Sequence, residues 1–112
     1  MSEKKALDFI VVRYTALYKD QTMRLLNLLW SSKTEEESRA RFKWKYEDNP
    51  YTQPPLIFLA MVDGKVIGVL GHMVEVFLIN GAKYNVCTPV DGIVSPEYRM
   101  YGVYLKMSAE AI

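Results

Sequence analysis

Cysteine is nearly absent: Cys87 stands alone among 112 residues. A single thiol excludes an intrachain disulfide and argues against a metal centre built on cysteine. Charge of one sign is scarce as well. The formal net charge is +1, with acids balancing bases along most of the chain, so nothing in the charge points to nucleic acid. The Lys4–Lys5 and Arg39–Lys45 clusters read as solvated faces. Long apolar runs are missing. The longest, Val66 to Ile79, is too short for a membrane span and is interrupted by Gly68, Gly71, His72 and Glu75. No secretory signal opens the sequence, which makes a reducing cytoplasm the expected setting. There is no internal repeat and no low-complexity segment. His72 is the only histidine; on an apolar strand it reads as a hydrogen-bonded structural residue rather than a base or a ligand.

What is present is a globular composition, 50% apolar and 12% aromatic, enough for one domain with a modest core. Residues 1–6 are polar and expected to fray. Leu7–Thr15 is β-branched and aromatic and reads as a strand. Asp20 is a candidate N-cap for a helix over Gln21–Trp30, with Leu25, Leu26 and Leu29 on one face. Thr34 with Glu37 matches a capping box, so a second helix starts near Glu35 and ends before Asn49-Pro50. Strands follow at Leu56–Val62, Lys65–Ile79 and Ala82–Val94, joined by tight turns at Asp63-Gly64 and Asn80-Gly81. The glycines of the long strand suggest a bulge or bend. A last helix covers Met100–Ile112. The order β-α-α-β-β-β-α predicts an α+β fold, helices packed on an antiparallel meander, with a mixed sheet overall. Trp30, Phe42, Trp44 and Tyr46 read as core and helix-packing aromatics, and Cys87 as a small core residue.

Chemistry is concentrated in Val94-Ser95-Pro96-Glu97-Tyr98-Arg99-Met100-Tyr101-Gly102-Val103-Tyr104. Pro96 ends the strand. Gly102 lets a ligand approach the backbone, and Arg99 adds charge and a donor fork. The first amides of the following helix have no partners within it. With the helix dipole they form a seat for a phosphate or pyrophosphate on residues 100–104. An ordinary strand–turn–helix junction is the alternative reading.

This segment, in its topological place, resembles the central motif of the GNAT superfamily of acyl-coenzyme A N-acyltransferases, Arg/Gln-x-x-Gly-x-Gly/Ala at a helix start. The Asp63-Gly64-Lys65-Val66-Ile67-Gly68 hairpin, Asp91 before the motif, and Phe42-Lys43-Trp44-Lys45-Tyr46 with Asn49-Pro50 add to the likeness, which spans roughly residues 10–112. Two positions depart from it: Met100 stands where Gly is usual, and Tyr104 stands at the final Gly/Ala, where it is expected to pack into the core. The resemblance implies acetyl-CoA or another acyl-CoA as co-substrate, its pyrophosphate on Arg99, Met100, Tyr101, Gly102, Val103 and Tyr104. The pantetheine arm is then expected along Ile93 and Val94. A small-molecule or peptide amine is the implied acceptor, with Asp91 ranked before Glu75 as the carboxylate that removes its proton. Trp44 is a candidate for lining the acceptor groove. The implied partners exclude nucleic acid and membrane.

A complete domain of that family continues past the motif helix with further strands. The expectation is therefore a single, incomplete GNAT-like domain over residues 1–112, either catalytic or reduced to binding acyl-CoA or a protein partner. An exposed sheet edge points to a homodimer.

Overall fold

Two hairpin turns set the sheet. Asp63 and Gly64 take φ of 49° and 77°, and Asn80 and Gly81 take 52° and 80°. Positive φ at both central positions is what a two-residue turn needs to match strand twist. The computed structural model describes residues 8–31, 34–50, 53–99 and 101–110. Its strands are β1 (Ile10–Arg13), β2 (Ile57–Val62), β3 (Lys65–Ile79) and β4 (Ala82–Val94). They form one sheet in the order β1-β2-β3-β4. Every pairing is antiparallel, so the expected mixed sheet is not formed among the described residues. The α+β meander with packed helices is as expected.

β1 is shorter than Leu7–Thr15, because only Ile10–Arg13 has a partner, opposite Met61 to Phe58 on β2. Leu7 and residues 1–6 lie outside the described residues. Helix α1 covers Lys19–Trp30 after a 3₁₀ turn at Ala16–Tyr18. Tyr18 stands at its N-cap, and Asp20 lies inside the first turn, where its charge complements the dipole instead of capping. Helix α2 (Glu35–Phe42) begins at the predicted cap, with Thr34 Oγ1 accepting from the Glu37 amide at 3.1 Å. It passes into a wide π turn at Lys43–Glu47, closed by Asp48 N–H donating to Lys43 C=O at 2.7 Å. Phe42 and Tyr46 both point inward, fully buried, while Trp44 is 68% exposed.

Side-chain alternation divides the sheet between two cores. On one face Leu59, Val69 and Ile93 meet Leu26, Phe42 and Tyr46 from the α1/α2 layer. On the other Ala60, Leu70 and Val94 meet Val103 and Met107 of helix α3 (Val103–Glu110). α3 starts three residues later than the Met100–Ile112 expectation; Met100, Ala111 and Ile112 lie outside the described residues.

Two bulges bend the sheet. Ala60 pairs with Gly68 while Met61 pairs with Val66, leaving Ile67 extra. Gly71 pairs with Asp91 while His72 pairs with Pro89, leaving Val90 extra. Beyond the second bulge β3 and β4 run out as a two-stranded arm, giving the molecule a 60 Å long axis. The arm is solvated on both faces: Phe77, Leu78, Ile79, Tyr84 and Val86 are exposed. Cys87 is exposed there too, not in the core, because no helix among the described residues covers this stretch. No helix among the described residues is long and apolar enough to cross a membrane.

Candidate functional site

At the end of β4 the chain turns sharply. Ser95 N–H donates to Ile67 C=O at 2.7 Å, and Tyr98 N–H to Ser95 C=O at 2.9 Å, closing the Pro96–Tyr98 3₁₀ turn. Arg99 folds back, its Nε donating to Val94 C=O at 3.0 Å. Gly102 has φ of +68°, and a Cβ there would meet no atom within 4 Å. The position therefore combines a conformation that favours glycine with open space before α3. The first-turn amides of α3 have no acceptors within the helix. Lys106 N–H is bonded to Gly102 C=O at 3.2 Å.

Beside this junction lies a cleft of about 410 Å³ between α1 and α3, lined by Leu28, Leu29, Gly92, Ile93, Val94, Arg99 and Tyr104. Among the described residues β4 is the outer strand of the sheet, and its outer edge borders the cleft. Tyr104 does not enter the core. It is 45% exposed, and its ring lies over Gly92, where a Cβ would stand 2.5 Å from Tyr104 Cε2. Val103 and Met107 take the buried positions of α3, which turns Tyr104 onto β4 as a wall of the cleft. Ile93, Val94, Arg99 and Tyr104 are thus gathered at one place, with Gly102 and Val103 beside them; Tyr101 is exposed and Met100 lies outside the described residues.

Asp91, one residue before the cleft, is 4% exposed. Its carboxylate accepts from Trp30 Nε1 at 2.9 Å, Tyr46 Oη at 2.5 Å and Lys45 Nζ at 2.8 Å. Gly71, opposite on β3, makes the room: a Cβ there would stand 2.1 Å from Tyr46 Oη. Burial by itself would raise the Asp91 pKa. The bonds from Lys45, Tyr46 and Trp30, with the Lys45 charge, instead hold it below the ordinary carboxylate value. Burial is the main cause, and Asp91 the second, that pushes the Tyr46 hydroxyl far above its usual value. A carboxylate so placed stays ionised at neutral pH and is a weak proton acceptor.

The other candidates lie apart. Glu75 is on the exposed arm opposite Val86, four residues beyond Gly71 and so about 13 Å along the strand. Trp44 projects from the π turn into solvent. His72 is 4% exposed, with Nδ1 unpartnered and the Phe58 ring edge-on at 5.8 Å. Burial lowers its pKa, keeping it neutral.

Sequence reasoning missed Lys45, which belongs to a basic cluster read as a solvated face. It also missed the polar tips of Trp30 and Tyr46. The available signal was that a buried Trp or Tyr needs an acceptor, and Asp91 is an acid on an otherwise apolar strand end.

No protein-family model matches the sequence, and no curated protein does. Solved structures do match. The aminoglycoside acetyltransferase AAC(6')-Iy, in complex with the bisubstrate analogue CoA-S-monomethyl-acetylneamine, superposes with a TM-score of 0.71 at 20% identity, covering 94% of this chain and 69% of that one. The 6'-N-acetyltransferase AAC(6')-Ih from Acinetobacter baumannii gives 0.69 at 18% identity, over 92% and 68%. Glucosamine-6-phosphate N-acetyltransferase from Arabidopsis thaliana gives 0.64 at 22%, over 94% and 72%.

The chain has the GNAT fold. It spans about two thirds of the length of the aminoglycoside acetyltransferases, 69% and 66% in two AAC(6')-Iy structures. The strand–turn–helix junction of this fold is formed here by β4, the 3₁₀ turn and α3. Among the described residues no further strand pairs with the outer edge of β4.

Proposed function

We propose that the cleft beside β4 binds acetyl-CoA or another acyl-CoA and serves acyl transfer to the amine of a small molecule or peptide. The observation that carries this reading is the junction of a free β4 edge, a cleft and the open α3 N-terminus at Gly102. The comparisons support it through AAC(6')-Iy, crystallised with CoA and with a CoA bisubstrate analogue. The residues present fit the carrier. Amides of Gly102, Val103 and Tyr104 suit the pyrophosphate. The outward-facing backbone of Val94, whose carbonyl already takes Arg99 Nε, suits a pantetheine amide running beside Ile93, as a strand edge takes an added strand. The thioester supplies the acyl group. Leu28, Leu29 and the Tyr104 ring keep water from it. Arg99 fixes the turn through Val94 and leaves its charge at the cleft mouth. We assign Asp91 to positioning, since its lone pairs are engaged. Glu75 stands on the arm about 13 Å from Gly71, beyond the reach of one bridging water, so we assign the amine proton to bulk water. We assign the exposed Trp44 to contact with an acceptor arriving over the α1/α2 layer, and the cytoplasm is the proposed setting.

Isothermal titration with acetyl-CoA tests this, with thiol release over an amine panel as the second readout. Binding is expected, weakened about tenfold or more by Gly102→Val, whose φ and side chain both disturb the seat. A folded sample that ignores millimolar acetyl-CoA refutes the reading.

A second reading, a binding module that pairs with another copy through β4, is favoured by the apolar side chains exposed along the arm and edge. Carrier binding without thiol release, together with a dimeric mass in sedimentation, distinguishes it.

A further inference from the structure

The carboxylate beside the cleft already holds an ammonium. Lys45 Nζ lies 2.8 Å from Asp91 Oδ2, with the two side chains only 16% and 4% exposed. The Trp30 ring flanks that ammonium at 5.8 Å from its centroid, and Tyr46 Oη bonds the same carboxylate oxygen. A carboxylate and an aromatic face around one nitrogen, with a hydroxyl holding the carboxylate in place, are elements by which proteins bind alkylammonium ligands. The pocket is built, and the chain's own side chain fills it. The partly exposed Lys45 stem also marks the path from solvent to Asp91.

We propose that Lys45 is a specificity-determining residue that plugs this ammonium pocket and bars cationic amine acceptors from Asp91. The proposal rests on the reading of the cleft as an N-acylation site. A polycationic acceptor reaching Asp91 has to expel the Lys45 ammonium from a buried pair, which is strongly unfavourable. It also meets the Arg41 guanidinium, 5.2 Å from the Trp30 ring centroid. The local balance of Lys45 and Arg41 against Asp91 is positive. It suits an acceptor whose attacking amine is accompanied by neutral or acidic groups.

The test uses n-butylammonium, a free copy of the lysine stem, and neamine, a polycation. Wild type, Lys45→Ala, Lys45→Met and Lys45→Ala/Asp91→Asn are titrated calorimetrically and followed by thermal unfolding. Lys45→Ala opens the path and is expected to bind both probes at least about tenfold more tightly than wild type. It is also expected to regain thermal stability as n-butylammonium is added. Lys45→Met keeps the path filled and gains nothing, and Asp91→Asn removes the gain. If Lys45→Ala does not fold alone, folding restored by n-butylammonium supports the plug, and absence of rescue overturns it. Equal amine binding by wild type and Lys45→Ala also overturns it. Acetyl-CoA titrated into the wild-type sample reports separately on the acylation reading, so failure of one is not failure of the other.

Discussion

Gly71→Ala is the sharpest probe of how the Asp91 cluster is held. The added Cβ would stand 2.1 Å from Tyr46 Oη and 2.7 Å from Tyr46 Cζ. Tyr46 has nowhere to go: it is fully buried, and its ring packs against Phe42 at a centroid distance of 5.3 Å. Either the ring or β3 must shift. Overpacking of this kind costs about 1–3 kcal/mol, and losing the Tyr46 bond to an ionised acceptor about 1.5–3 kcal/mol, so a total of about 2.5–6 kcal/mol is expected. In equilibrium urea unfolding the midpoint should fall by about 1–3 M. Gly92→Ala is the internal control. Its Cβ also meets a tyrosine, 2.5 Å from Tyr104 Cε2, but Tyr104 is 45% exposed and its ring can swing away, so the loss should stay under about 1 kcal/mol. A Gly71→Ala protein within about 0.5 kcal/mol of wild type, or a control that costs more than the test, refutes the packing argument.

Thr34→Ala removes the oxygen that accepts from the Glu37 amide at 3.1 Å; a loss of about 1 kcal/mol is expected by urea titration, and Thr34→Gly should cost only a few tenths. Stability should decline with acid in two steps of the same sign. Burial holds His72 below its ordinary pKa of 6.5, so the unfolded chain takes up a proton first and stability is lost as pH falls below that value toward the folded-state pKa. His72→Gln should flatten this part of the profile, and parallel urea midpoints from pH 7 to about pH 5 for the two proteins would refute it. Asp91, also held low, adds a second loss below its ordinary value of 3.8, absent in Asp91→Asn.

Local signals carried the parts of the fold that are local. The bounds of β3 and β4 follow from Asp63-Gly64 and Asn80-Gly81, because a two-residue turn fixes register on both sides. The Thr34–Glu37 pair likewise located α2. Where a partner far along the chain decides, the residues say less. The run from Leu7 to Thr15 has strand character throughout, yet only Ile10–Arg13 meets β2. Apolar residues along 74–87 look the same whether or not a helix covers them, so Cys87 was expected in a core that the arm lacks. Tyr104 was expected inside because the phase of α3 depends on its start at Val103. The Asp91 cluster was illegible for the same reason: Trp30, Lys45 and Tyr46 lie 61 to 45 residues away in sequence, and only the sheet and the π turn bring them together.

Stability alone does not account for that cluster. A buried ion pair is on balance no more stabilising than apolar side chains of the same volume, while losing one partner is costly. Leucine or methionine at positions 45 and 91 would serve the α1/α2 core equally well. The chain instead commits a lysine, a tyrosine hydroxyl, an indole N–H and the absence of a side chain at Gly71 to one carboxylate, one residue from the cleft wall at Gly92. A buried carboxylate held by three donors is rigid and has one arrangement. What it fixes is the end of β4: the strand edge at Ile93 and Val94 is held from the α1/α2 side by Asp91 and from the α3 side by Tyr104 over Gly92. Loosening Asp91 should therefore disturb carrier binding at Ile93 and Val94 even though Asp91 itself does not line the cleft. Asp91→Asn, which keeps the shape and two of the possible bonds, should weaken acetyl-CoA binding less than Asp91→Ala. Equal affinities for the two variants would place the carrier's contacts elsewhere.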